Sequence, residues 1–90
     1  MQMLKLTASI TPSSVALSTC SEQSFAVSGV NSGDVLLVVQ QPSTSSPGNS
    51  IAIGGWRIPA ANTVAIQFCN VSKGSSHTPT GGTYTFALMR

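Results

Sequence analysis

A chain of 90 residues forms one domain, near the size at which a single hydrophobic core gives marginal stability. Charged residues make up 7% of the sequence, against about 25% in typical soluble domains, and the net charge is +2. Charges this few and scattered exclude a basic nucleic-acid-binding surface, and no apolar run approaches the length of a membrane span. Low charge also gives little protection against association, so we expect much of the surface to be buried in an assembly.

The first part of the chain predicts two strands. Met3–Ile10 alternates apolar and polar side chains, and Thr11-Pro12 ends the pattern. Residues 22–28 carry Phe25 and Val27 and end at a glycine. The residues between these two strands are mostly small and polar, which indicates a loop. The N-terminus lacks the charged start and long apolar core of a secretion signal.

Residues 33–40, Gly-Asp-Val-Leu-Leu-Val-Val-Gln, are the most distinctive stretch. Val35 to Val39 form an uninterrupted apolar run of strand length, rich in β-branched residues. A strand that is apolar on both faces must be covered on both faces, so we interpret it as a central strand. One face would meet the second sheet of the protein, and the other would meet another subunit or a larger surface. A short turn before it predicts a hairpin with the preceding strand.

The rest of the chain predicts three more strands. Residues 41–50 are strongly polar and predict a mobile loop. Residues 51–59 predict a strand bent or bulged at Gly54-Gly55. Thr63–Asn70 and residues 83–90 both alternate clearly, and their predicted inward residues are Val64, Ile66, Phe68, Tyr84, Phe86 and Leu88.

Six strands without helical periodicity predict an all-β fold. We expect one domain over residues 1–90, a small antiparallel β-sandwich or jelly-roll-like barrel of about six or more strands.

Two cysteines are too few for a disulfide scaffold. Cys69 lies in a predicted strand and is interpreted as a small core residue, and Cys20 lies in a polar loop. In a reducing cytoplasm we expect both to be free, although a bridge between them remains open.

The sequence contains few groups that could support catalysis. His77 adjoins two serines in a Gly/Ser/Thr/Pro-rich segment, which favours an exposed loop histidine over a catalytic base. The two acids are Glu22 and Asp34, and Asp34 is better placed to cap the turn that precedes its strand. We therefore expect a non-enzyme without cofactor or metal site.

Two further features have both functional and structural interpretations. Asn70-Val71-Ser72 matches the N-glycosylation pattern, and we expect it to be unmodified. Trp56 and Arg57 could form a recognition site through aromatic stacking or a cation–π contact. A lone tryptophan is more often a packing residue.

Three segments of the chain form a characteristic series of strands and turns: Val27-Ser28-Gly29-Val30 with residues 33–38, residues 57–70 from Arg-Ile-Pro to Gln-Phe-Cys-Asn, and Pro79 with residues 82–90. This series resembles a pattern in small virion proteins of tailed bacteriophages. Proteins with this arrangement are capsid decoration (cement) proteins or end domains of phage appendages. The resemblance covers about residues 25–90, and Cys69 stands where such strands more often carry Ser or Val.

The resemblance implies a non-enzymatic cement protein on the outer capsid surface of a virion assembled in the host cytoplasm. Its expected partners are the major capsid protein and copies of itself, as a homotrimer, with neither nucleic acid nor membrane. The expected subunit or capsid contact comprises Val35, Leu37, Val38, Val39, Tyr84 and Phe86. The alternative is a receptor-binding or adhesion tip that uses Trp56 and Arg57.

Overall fold

The structure, a computed structural model, describes residues 2–42 and 50–90. This part of the chain contains six strands, and it contains no helix that could cross a membrane. In chain order the strands are β1 (Met3–Ile10), β2 (Cys20–Ala26), β3 (Val35–Gln40), β4 (Ile51–Ala60), β5 (Thr63–Asn70) and β6 (Gly82–Met89). The predicted polar loop lies largely outside the described residues, at positions 43–49.

The strands form two three-stranded sheets packed face to face. One sheet has the order β1-β6-β3 and the other has the order β2-β5-β4, and all neighbouring strands are antiparallel. The all-β prediction and the β-sandwich are therefore confirmed, whereas a jelly-roll is not. The central strands are β5 and β6. Buried residues alternate with more exposed ones along β6, and β5 follows the same pattern except that the small Ala65 is also buried.

The core lies between β5 and β6, as their alternation predicts. Each strand directs three consecutive inward side chains into this layer, and all six are fully buried: Val64, Ile66, Phe68, Tyr84, Phe86 and Leu88. Phe25 of β2 packs edge-to-face against Phe68, with ring centroids 6.3 Å apart. Because the side-chain period of a strand is two, this burial fixes the register of both central strands.

The prediction that β3 is a central strand is wrong. It pairs with β6 alone and forms an edge of its sheet. The predicted hairpin with the preceding strand is also wrong, because β2 pairs with β5 in the opposite sheet. β6 takes the central position because its inward face carries three large apolar side chains. The outward side of β3 consequently has no cover within the described chain.

The predicted irregularity of β4 is confirmed, since the register with β5 shifts between Ile53 and Gly55. Gly54 lies at the shift, under side chains of β5. A Cβ atom there would lie 2.8 Å from Gln67 Oε1 and 2.9 Å from Cys69 Sγ, which is too close for any other residue without a local rearrangement.

The expectation of two free cysteines is wrong, since Cys20 and Cys69 form a disulfide. Cys20 is the first residue of β2 and lies directly opposite Cys69 of β5, with Cα atoms 4.0 Å apart. Cys69 also faces away from the core, because its neighbours Phe68 and Asn70 are the buried residues. The sequence left the bridge open because the pairing of β2 was not predictable.

Candidate interaction surface

The outer face is the side of the β1-β6-β3 sheet that points away from the core. β6 contributes small or flexible side chains to it, among them Thr85, Ala87 and Met89, which alternate with the buried core residues. The β1 residues opposite these three are Thr7, Lys5 and Met3. On the other side, β3 contributes Val35, Val38 and Gln40. The outer face is therefore mostly apolar, with Lys5 as its single charged residue among those named.

A shallow groove of about 340 Å³ runs over this face. Its floor includes Thr85 and Ala87 of the central strand, and its walls include Met3 of β1 and Val38 of β3. The groove exists because small side chains on the middle strand lie between longer ones on the two flanking strands. Such a surface can accept an apolar ridge of another molecule.

The predicted interface residues fall into two groups. Val35, Leu37 and Val38 are exposed, with 53%, 37% and 48% of their surface accessible. For a run of apolar residues on a single strand this exposure is large, and contiguous exposed apolar surface marks interaction sites. This group belongs to the outer face or to the adjoining edge of β3.

The second group of predicted interface residues requires a correction. Val39, Tyr84 and Phe86 are buried in the protein's own core, because they point inward from β3 and β6. The Tyr84 hydroxyl donates a hydrogen bond to the Thr80 carbonyl at 2.6 Å, and burial raises its pKa. These side chains cannot contact another subunit while the fold is intact.

Sequence reasoning missed Met3, Lys5, Ala87 and Met89 as members of the outer face. Their alternation did indicate that they point away from the core. What the sequence lacked was the pairing of β1 with β6, which brings residues more than 80 positions apart into one surface.

Both acids of the chain are engaged in ion pairs. Arg90 forms a bidentate pair with Asp34, whose side chain is 2% exposed, and its guanidinium also donates to the Gly29 carbonyl at 2.7 Å. Hydrogen bonds from Arg90, and secondly from the Asn31 backbone N–H, hold the pKa of the Asp34 carboxyl below its ordinary value of 3.8. Asp34 thus closes the turn before β3, as predicted.

The predicted recognition pair, Trp56 and Arg57, lies on β4. The Trp56 indole N–H donates to the Leu36 carbonyl of β3 at 3.0 Å, so this ring links the edges of the two sheets. Arg57 pairs with Glu22 of β2 through two hydrogen bonds of 2.8 and 2.9 Å, which lower the pKa of the Glu22 carboxyl. The Trp56 N–H and two nitrogens of the Arg57 guanidinium therefore bond within the protein, the Arg57 side chain is 61% exposed, and recognition by this pair stays a prediction.

The structure does not bring the remaining candidate catalytic residues together in one site. His77 Nε2 lies 3.3 Å from Ser75 Oγ, but each acid is bound to an arginine elsewhere. Residues 2–42 and 50–90 contain no group of three or more potential metal ligands.

The glycosylation pattern has a structural explanation. Asn70 is 2% exposed, and its Nδ2 donates to the carbonyls of Val15 and Ser75 at 2.9 and 3.0 Å. Its Oδ1 accepts from the Ser72 backbone N–H at 2.8 Å. The nitrogen to which a glycan would attach is thus buried and fully bonded, and Ser72 is part of the same structure.

Comparisons with protein-family models, curated proteins and solved structures give no match for this chain. The resemblance to phage virion proteins therefore stays a prediction, and function has to be argued from the surface described above.

Proposed function

We propose that this chain is a capsid decoration (cement) protein of a tailed bacteriophage. It binds the outside of the shell through the outer face and bridges neighbouring subunits of the major capsid protein. The observation that carries the proposal is the exposed apolar strip of Val35 and Val38 beside the groove. Burying this strip against a partner removes apolar surface from water, which lowers the free energy of the complex.

The distribution of polar groups supports a structural role. Both carboxylates bind arginines, and the buried amide of Asn70 satisfies backbone groups. These interactions hold segments of the protein together. A cement protein needs a stable fold and a matching surface, and many copies on a lattice gain avidity from modest individual contacts. Because such a protein binds the assembled shell, it stabilises that state by mass action.

The test is co-sedimentation of the purified protein with capsids that lack it, with copies per particle counted at saturation. We expect hundreds of copies, and capsids that survive at higher temperature. Val38→Asp places a charge beside the groove and should reduce binding at least about tenfold. Val71→Asp is the matched control, since Val71 is 67% exposed in the segment that follows β5 in the other sheet. A handful of copies, or equal losses in both variants, would contradict the proposal.

A further inference from the structure

We propose that β1 is a self-association edge, at which two copies of the chain pair antiparallel about a two-fold axis through Leu6. The two β1-β6-β3 sheets would then join into one continuous six-stranded sheet. This contact is made by the backbone edge of β1, whereas the outer face is formed by side chains of the sheet, and it does not depend on the proposed capsid function.

The free backbone groups of β1 follow from its pairing with β6. Gln2 and Arg90 exchange two hydrogen bonds, N–H to C=O in both directions, at 2.8 and 2.9 Å. In an antiparallel pair such residues alternate with residues whose backbone groups point away. The N–H and C=O groups of four residues therefore point out of the sheet: Met3, Lys5, Thr7 and Ser9. These eight groups form no backbone hydrogen bond to another segment within residues 2–42 and 50–90.

The other three edges carry features that obstruct strand pairing. β3 has a register shift between Leu36 and Val38, and its Leu36 carbonyl already accepts a hydrogen bond from the Trp56 indole N–H. β4 has two register shifts and contains a proline. On β2, the Gln23 side chain holds the Ser13 backbone beside the strand through bonds of 2.7 and 3.0 Å. By contrast, β1 keeps an unbroken register with β6 over all eight residues and contains neither glycine nor proline.

Because the other edges are obstructed, the strand that pairs with β1 is the β1 of a second copy. A copy that pairs with β1 can offer only β1 as an unobstructed edge among the described strands, and a contact between identical edges is two-fold symmetric. The homotrimer expected from the resemblance to phage proteins would instead need β1 to meet a different edge of the next copy, so the two expectations exclude each other at this edge.

The sequence of β1 is complementary to itself in one register. With Leu6 opposite Leu6 of the second copy, Met3 lies opposite Ser9 and Lys5 lies opposite Thr7. All eight outward groups of each strand are then satisfied, and the two lysines are not directly opposed. Shifting the register by two residues in one direction would place Met3 opposite Thr11, beyond the end of β1, and in the other direction it would place the two lysines directly opposite each other.

The inward side chains of β1 agree with this register. Leu4, Leu6 and Ala8 pack against the core but remain partly exposed at the edge of the sandwich. In the paired form Leu6 contacts its counterpart, and Leu4 contacts Ala8 of the second copy. The contact would extend the apolar inner layer from one sandwich into the other.

The experiment measures the mass of the intact protein by sedimentation equilibrium across micromolar to millimolar concentration. We expect a monomer–dimer equilibrium. Thr7→Pro removes an N–H that points away from β6, so it should leave the fold intact and raise the dimer dissociation constant at least about tenfold. Ser24→Pro is the matched control on the β2 edge, and it should leave the dissociation constant unchanged.

A second measurement tests the register without relying on proline. Leu6→Cys places two thiols opposite each other across the axis, at a Cα separation suited to a disulfide, so mild oxidation should give a covalent dimer. Ala8→Cys is the control, because residue 8 faces Leu4 of the second copy. A monomer at every concentration, a trimer, a dimer abolished by Val38→Asp but not by Thr7→Pro, or equal cross-linking of both cysteine variants would overturn the proposal.

Discussion

The side-chain amide of Asn70, at the end of β5, donates to the backbone carbonyl of Val15, 55 residues earlier in the chain. The same nitrogen also donates to Ser75, and the amide oxygen accepts from Ser72. One buried side chain thus joins the loop between β1 and β2 to the loop between β5 and β6. Val15 and His77 exchange backbone hydrogen bonds beside it, which closes this end of the sandwich.

Replacement of Asn70 by alanine should therefore be strongly destabilising. It removes three hydrogen bonds between the buried amide and backbone groups of the two loops, and we expect a loss of about 2–3 kcal/mol in the free energy of unfolding. Urea denaturation measures this change. Asn31→Ala is the control, since Asn31 bonds through its backbone, and it should cost less than about 0.5 kcal/mol. Similar effects of the two variants would show that the Asn70 amide does not join the loops.

The disulfide should contribute substantially to stability. The bridged residues are 49 positions apart, and in the chain-entropy model a loop of that size contributes about 4 kcal/mol. We expect reductant to lower the denaturation midpoint of the wild type, because Cys20 is exposed. The double variant Cys20→Ser with Cys69→Ser should have the lower denaturation midpoint without reductant, and reductant should not change it. If reductant leaves the wild-type midpoint unchanged, the bridge does not form in solution.

Acid should lower the folding stability of the protein because it protonates the Asp34 carboxylate. Its pKa is lower in the folded state than in the unfolded state, so its ion pair contributes stability at pH values above the unfolded pKa. That contribution is lost as the pH falls through the folded pKa, a window that begins near pH 4. Thermal unfolding midpoints between pH 2 and pH 7 should fall less steeply at the acid end in Asp34→Asn than in the wild type.

Glu22→Gln provides the comparison for the acid experiment. Its carboxyl also has a lowered pKa, but the Glu22–Arg57 pair is far more exposed than Asp34 and solvent screens it. We expect this variant to follow the wild-type profile closely. Parallel profiles for wild type and Asp34→Asn would argue against a role for the buried carboxylate.

Substitutions of Trp56 distinguish a packing role of this residue from a role in ligand recognition. Trp56→Phe keeps an aromatic ring and loses the N–H that bonds to Leu36, so we expect a stability loss of about 1 kcal/mol or less, since the ring is partly exposed. Trp56→Ala should cost more. A glycan array should give no signal for wild type if Trp56 has a packing role. Binding that survives Trp56→Phe and vanishes in Trp56→Ala would support the receptor-binding alternative.

Alternation predicted which residues of β5 and β6 point inward, because a strand that is buried on one side repeats every two residues. It could not predict which strands are neighbours, since that depends on contacts between distant segments. The apolar run of β3 suggested a central strand because it offers apolar side chains to both faces. In the structure β3 is an edge strand, and Val35 and Val38 face outward. Cys20 illustrates the same limit, because its bridge depends on the pairing of β2 with β5.

The order of strands in the first sheet has a consequence for synthesis. β1 and β3 both pair with β6, which follows them in the chain by more than 40 residues. While the ribosome is still making the segment between β3 and β6, neither earlier strand has its partner, and their apolar side chains stay accessible. Pairing between distant segments is slow, and unpaired strands are prone to aggregation. We therefore expect the nascent protein to be most vulnerable just before β6 emerges, and soluble yield to depend on conditions that protect this stage.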